Sequence, residues 1–249
     1  MSTISAIDTN TSNSPKRLIA NTLSGMNFLC GIMCIMLALN NQFSWCFILL
    51  CIGAICDGLD GTAARRWGST RWGVLADDIA DGVTYGIAPG FAIYASVGAG
   101  IEGVVIGVLY ALFTISRLVF FTINKNSSDP NYFAGAPSPF AGIVMLSAVV
   151  LFHTAHPVMI GLIAGIVAVQ MVSYNTPYFH LGRALGKPRQ RRSLGVMLAA
   201  LLAVIAITAV LFGWNGPAGV VLAAGLTYGF LPMVTRFRTV VREYRASIA

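Results

Sequence analysis

Residues 56–86, CDGLDGTAARRWGSTRWGVLADDIADGVTYG, carry five of the chain's nine acidic residues, Asp57, Asp60, Asp77, Asp78 and Asp81, within a sequence that is otherwise almost pure hydrocarbon. A carboxylate at the centre of a bilayer costs about 2.5 to 3.5 kcal/mol even on a lenient insertion scale. Five of them therefore need counter-charges, water or a chemical task. The surroundings make the problem acute. The 249 residues are 56% hydrophobic and only 10% charged, with a mean hydropathy of +0.75, whereas soluble domains average about 25% charged.

Working outward from the acidic stretch, eight apolar spans can be drawn, at about 18–39, 44–66, 72–97, 101–123, 138–154, 157–175, 194–213 and 216–235. Each approaches the 20 or so apolar residues that a helix needs to cross about 30 Å of hydrocarbon. The runs lack the strict alternation of barrel strands, and unpaired backbone groups are too costly in lipid, so helices are the remaining solution. The expected fold is an all-α, polytopic helical membrane bundle.

The sixteen Lys and Arg residues set its orientation. Lys16 and Arg17 precede the first span, and Arg65, Arg66 and Arg71 surround the turn between the second and third. Arg117 and Lys125 end the fourth, the loop after the sixth holds Arg183, Lys187, Arg189, Arg191 and Arg192, and the tail holds Arg236, Arg238, Arg242 and Arg245. The alternate loops, NNQF, SVGAG, HTAHP and GWNG, hold none. Under the positive-inside rule both termini, and the rim of the acidic stretch, face the cytoplasm of a cell membrane. The net charge of +7 is then topological bias that also attracts anionic headgroups, and a nucleic-acid partner is not expected.

The expected organisation is a polar cytoplasmic tail over 1–17, a six-helix membrane core over 18–175, a basic connector over 176–193, two further transmembrane helices over 194–235 and a basic tail over 236–249. The first span reads as an uncleaved anchor. Cys30, Cys34, Cys46, Cys51 and Cys56 all fall in the first two spans, where they behave as small apolar residues and not as a disulfide framework.

Within the acidic stretch the spacing is Asp57-x2-Asp60-Gly61-x2-Ala64-Arg65-x7-Gly73-x3-Asp77-x3-Asp81. The first pair, three residues apart, and the second, four apart, each put two carboxylates on one helix face. Two helices joined by a short turn then point these acids at each other, and like charges that close repel by several kcal/mol unless cations intervene. Oxygen donors without His or Cys select hard divalent ions, Mg2+, Mn2+ or Ca2+. Two such ions about 4 Å apart suit a pyrophosphate and its displacement by a hydroxyl. Gly61, Ala64 and Gly73 leave room for a phosphate or a flat base, and Arg65 offers a fork to phosphate oxygens. Taken singly, these small residues can equally serve close helix packing. Asp78 is an additional acid about 100° around the helix from Asp77. It makes its own pair with Asp81, although Gly73, Asp77 and Asp81 keep a common line.

This pattern resembles the signature of the CDP-alcohol phosphotransferase (CDP-alcohol phosphatidyltransferase) family, integral membrane enzymes that build phospholipids from CDP-linked lipids. The resemblance implies a six-helix core, usually dimeric, over roughly 18–175. Asp57, Asp60, Asp77 and Asp81 would hold two divalent ions, Mg2+ or Mn2+. Asp81 would also be the base for the acceptor hydroxyl, and Asp57, Gly61, Ala64, Arg65 and Gly73 would line the CDP pocket. One departure is visible: the family usually has one residue more between the Arg and the next Gly than the seven here, Arg66 to Trp72.

Looser matches are similar to the phosphatidylserine synthase branch: NTLSGMNFLCGIMCIMLAL at 21–39, DDIADGVTYGIAPG at 77–90, SRLVFF at 116–121, YFAGAPSPFAG at 132–142 and MVSYNTPYF at 171–179. The branch's usual Ser and Ser-Phe are replaced by Asp78 and by Thr84-Tyr85. The expected substrates are CDP-diacylglycerol and L-serine, with other polar alcohols as the alternative. An amino-acid acceptor needs a cation for its carboxylate, for which Arg117, inside a span, and Lys125, near the same end, are the candidates. Arg117 can equally snorkel to the interface or neutralise the acids. Pro137 and Pro139 either turn polar backbone toward the pocket or simply begin the fifth span. His153, His156 and His180 are expected at interfaces. A cation path through the acids is the competing function class.

Overall fold

The computed structural model describes residues 15–67, 71–124, 132–154, 157–179 and 188–248. These residues form helices α1 (Pro15–Leu39), α2 (Phe43–Trp67) and α3 (Arg71–Asp81), a π-helical segment (Gly82–Ile87), and helices α4 (Ala88–Ser96) and α5 (Ile101–Asn124). There follow strand β1 (Tyr132–Ala134), helices α6 (Ser138–Phe152) and α7 (Pro157–Val172), strand β2 (Pro177–Phe179), and helices α8 (Pro188–Phe212) and α9 (Asn215–Ile248). The architecture is that of a helical, polytopic membrane protein. Large apolar side chains such as Leu29, Met36, Ile55, Leu112, Leu202 and Val210 face outward, as lipid contact demands.

Among the described residues, five helices are long and apolar enough to cross a membrane, over 19–39, 43–64, 101–124, 192–212 and 215–239. The remaining three expected spans differ from the drawn ones. The third is a continuous helical run broken in type: α3 passes into the π-helical segment and then α4, with the Ala88 N–H donating to the Val83 carbonyl. The fifth and sixth are shorter, 15 and 16 residues, or about 22 to 24 Å at 1.5 Å per residue. The last helix runs beyond the drawn span to Ile248. The connector drawn over 176–193 contains β2, which pairs antiparallel with β1 through Tyr132–Phe179, Phe133–Tyr178 and Ala134–Pro177. Three-residue strands give too short an alternation to be read from the sequence.

The turns without basic residues carry recognisable stops. Asn41, at φ 57°, follows α1; its N–H donates to the Ala38 carbonyl and that of Gln42 to the Leu37 carbonyl, both at 2.9 Å. Gly98, at φ 92°, closes α4 in the same way, with Gly98 bonded to Ala95 and Ala99 to Tyr94. Both are Schellman caps, with Asn or Gly in the left-handed position.

α6 is the central helix. It is apolar all round, as a helix enclosed by others must be, and Val144, Met145, Leu146, Ala148 and Val149 are all buried. Around it pack α2, α4, α7, α9 and the π-helical segment. α9 belongs to this core: Ala218 and Leu222 join it, and Gly225 fits directly against Val144. α8 packs against α9, and none of its membrane window is buried. The sequence division into six helices plus two thus crosses a packed interface.

Helices in lipid gain little from hydrophobic burial against one another and rely on close packing over small residues. Gly90 of α4 lies on Gly107 of α5 at backbone contact. On α1, Gly31 lies against the π-helical segment, where an added Cβ would sit 2.9 Å from the Thr84 Cα. Gly25, on the exposed face of α1, has nothing within 4 Å of such a Cβ. Gly31→Ala should therefore cost about 1 to 3 kcal/mol by overpacking. It should visibly lower the unfolding temperature in detergent, while Gly25→Ala leaves that temperature unchanged or slightly raised.

Candidate active site

The acids lie where the sequence expected two helix faces to meet. Asp57 and Asp60 stand on α2, and Asp77 and Asp81 on α3, Asp81 being the last residue before the π-helical segment. Single π turns recur at functional sites because the widened turn re-aims the side chains around it. Carboxylate oxygens of Asp57, Asp77 and Asp81 all lie within 4.8 Å of one another, and each residue is half-buried.

Asp60 is buried and stands slightly apart from these three. Its Oδ2 accepts a 2.7 Å hydrogen bond from the Ser24 hydroxyl, and its charge acts on Asp77 and Asp81. Asp81 Oδ1 accepts from the Asn27 amide at 3.0 Å. Asp78 turns outward and accepts from Thr122 on α5 at 3.3 Å. Asp77, not Asp78, therefore shares the enclosed space with Asp57 and Asp81.

The donor set suits a divalent ion on two observations. Asp57, Asp77 and Asp81 offer only oxygen, which hard cations prefer. Asp77 Oδ1 is also buried with no hydrogen-bond partner among the described residues, and such an atom loses its hydration without replacement unless something else fills the role.

Arg117 is buried on α5 and does not snorkel. Nη1 donates to the Ser138 hydroxyl at 3.0 Å, the guanidinium lies 5.4 Å from the Phe121 ring centre, and Nε has no partner among the described residues. Its field reaches Asp81 and Asp57. Ser138 is delivered by the start of α6: Pro137, extended at φ −64° and ψ 143°, is the N-cap, and Pro139 occupies the first turn. A proline there loses no helical hydrogen bond. Nearby, Tyr174 stacks on Phe120 with centroids 3.7 Å apart. Of the two sequence readings of the prolines, the structure bears out that they begin α6; what reaches Arg117 there is the Ser138 side chain.

Among the other expected site residues, Gly61 and Ala64 are half-buried on α2 and Gly73 is buried on α3. Arg65 lies on α2 with its side chain outside the described set, and Lys125 lies outside the described residues. His156 and His180 also lie outside them. The His153 ring packs on Phe43 at 5.3 Å, beyond the C-terminal end of α6 and opposite Ser138.

Three residues were not singled out from the sequence as site residues: Ser24, Asn27 and Ser138. Asn27 and Ser24 carry a legible signal, a pair of polar residues three apart in an otherwise apolar first helix. Ser138 carries only its place between two prolines.

A profile of the CDP-alcohol phosphatidyltransferase family matches residues 17–174. The chain is 34% identical over 145 residues to a CDP-diacylglycerol–serine O-phosphatidyltransferase of Helicobacter pylori, an alignment covering 57% of this chain and 61% of that relative. It is 30% identical over 139 residues to the Bacillus subtilis protein of the same name, covering 55% of this chain and 76% of that one. It is 29% identical over 133 residues to an archaetidylserine synthase of Methanothermobacter thermautotrophicus, covering 52% and 56%. The chain thus spans about three fifths of the length of the Helicobacter relative. With the acid pattern, its convergence in space and a profile match over most of the chain in agreement, this protein belongs to the CDP-alcohol phosphatidyltransferase family.

Proposed function

We propose that this chain transfers the phosphatidyl group of CDP-diacylglycerol to the hydroxyl of L-serine, forming phosphatidylserine and releasing CMP. The observation that carries the reading is the meeting of Asp57 with Asp77 and Asp81 within 4.8 Å. The choice of serine is supported by the names of the Helicobacter and Bacillus relatives, and the Methanothermobacter relative also bears serine in its name.

Asp57, Asp60, Asp77 and Asp81 hold two divalent ions, Mg2+ or Mn2+, which when bound supply positive charge to the pyrophosphate and the departing phosphate. Asp57, Gly61, Ala64, Arg65 and Gly73 receive the CDP group. Arg117 binds the serine carboxylate through its Nε edge, with Ser138 holding Nη1 in place, and Lys125 adds charge at the same end. Asp81 takes the proton of the serine hydroxyl, whose oxygen attacks the phosphorus bearing the diacylglycerol. The bond from that phosphorus to the bridging pyrophosphate oxygen breaks, and CMP leaves with that oxygen.

The setting is a cell membrane crossed eight times, with both termini and the site mouth on the cytoplasmic side. The catalytic segment spans 18–175, after a tail over 1–17; the stretch beyond it carries β2, α8 and α9, with α9 packed on α6 and running to Ile248. Two copies form the working unit. The acyl chains stay in lipid, which gives the site a reason to lie within the bundle.

Purified protein given CDP-diacylglycerol and Mn2+ should release CMP only when serine is added. Release with glycerol phosphate or inositol phosphate in its place would transfer the reading to another alcohol. Ion uptake by liposomes without CMP would replace it by transport. Arg117→Lys keeps the charge but loses the fork, so the serine KM should rise about tenfold or more, with the CDP-diacylglycerol KM changed less than about threefold.

The two adjacent acids give a second test. Asp77→Asn should weaken Mn2+ binding, followed by electron paramagnetic resonance, by more than about tenfold, since loss even of groups behind a metal's ligands costs that much. Asp78→Asn, whose carboxylate turns to Thr122, should stay within about twofold of the parent protein.

A further inference from the structure

α1 contributes no charged side chain over 18–39, yet it forms a wall of the acidic site. Ser24 and Asn27, three residues apart on one face, donate respectively to Asp60 at 2.7 Å and to Asp81 at 3.0 Å. Both side chains are buried. The Ser24 hydroxyl also lies 3.2 Å from the Ala20 carbonyl. A hydroxyl has one proton to give, and the shorter contact, to the carboxylate, has the length of a charge-assisted bond.

Asn27 is fixed from two sides. Its backbone carbonyl accepts from the Thr84 hydroxyl at 2.8 Å, which ties it to the π-helical segment that begins directly after Asp81. Gly53 of α2 leaves the space for its amide, since a Cβ there would lie 2.9 Å from Asn27 Oδ1.

We propose that Ser24 and Asn27 are positioning residues for the metal-holding acids: each ties down one oxygen of its carboxylate, Oδ2 of Asp60 and Oδ1 of Asp81, and so fixes the orientation in which that side chain would meet a divalent cation. Neutral donors suit this task. A Lys or Arg at either place would fix the same oxygen but would also cancel the negative charge that draws a divalent ion. The inference rests on the reading that the acids bind divalent ions, and it extends the site to a helix outside the acid motif.

Mn2+ binding to the purified full-length protein, followed by electron paramagnetic resonance with neither substrate present, tests it. Ser24→Ala should weaken binding about 10- to 100-fold, the usual cost of losing a partner behind a metal ligand. Ser24→Thr, which keeps the hydroxyl, should restore it to within about threefold. Asn27→Leu, similar in volume but without a donor, should weaken it to a similar extent as Ser24→Ala. Should Asn27→Leu fail to fold, the Ser24 pair decides alone.

Binding by Ser24→Ala within about twofold of the parent protein overturns the proposal. So does equal weakening by Ser24→Thr, which would mean that α1 acts only through packing, and so does absence of Mn2+ binding by the parent protein. If the parent protein binds Mn2+, the Ser24 pattern holds and serine releases no CMP, the positioning role stands and the serine reaction falls.

Discussion

Everything in this bundle answers to the need to keep Asp57, Asp77 and Asp81 together inside an apolar fold. At separations of 4.8 Å or less and an effective dielectric near 20, each ionised pair repels by at least about 3.5 kcal/mol. No helix packing of ordinary strength holds such a group closed by itself. The protein surrounds it with directional neutral donors, Ser24 and Asn27, and with the field of one buried arginine, Arg117. Among the described residues Asp77 Oδ1 is left without a partner. Anchored on some oxygens and open on others, the arrangement suits a site that waits for cations better than one that has neutralised itself.

The close helix contacts follow from that need. α1 must approach α2 and the π-helical segment closely enough for a serine and an asparagine, both short, to reach the acids. Gly31 against Thr84 and Gly53 against Asn27 permit the approach. The π-helical segment is the adjustment that lets one continuous run both end its acid face at Asp81 and turn Thr84 toward the Asn27 carbonyl. A regular helix advances 100° per residue and would present residues 82–87 in a different rotation.

The membrane class and the acid pairs were legible in the sequence because both rest on local rules. Long apolar runs report the solvent, and spacings of three and four report a helix face. Local spacing could not choose between Asp77 and Asp78, since either pairs with Asp81; the choice depends on α5, whose Thr122 takes Asp78. Nor could it reveal the β1–β2 ribbon, the π-helical segment, or Ser138 as the partner of Arg117. Those contacts join residues far apart in the chain, and no periodicity records them. The sixth span drawn to residue 175 ends earlier, at Val172, because Ser173, Tyr174 and Asn175 are polar or interfacial and the chain there turns toward the ribbon, with the Ala136 N–H donating to the Gln170 carbonyl.

The Arg117 end of the site shows why the last helix matters. Ser138 can hold Arg117 only if the start of α6 is fixed, and that start has few local anchors: two prolines and the short ribbon beside it. α9 supplies the rest. Tyr178 of β2 donates to the Gly229 carbonyl at 3.0 Å, and the Tyr228 ring packs against Phe140, two residues beyond Ser138, with centroids 4.8 Å apart. Gly225 meets Val144 one turn further along α6. Phe140 and Val144, four residues apart, share a face of α6 that lies on the far side of the helix from Ser138, so α9 braces from behind the helix that positions the arginine's partner. α8, with no buried window of its own, returns the chain to the side from which α9 can pack in this direction. The last two helices are thus part of the mechanical support of Arg117, although they lie outside the segment that carries the family signature.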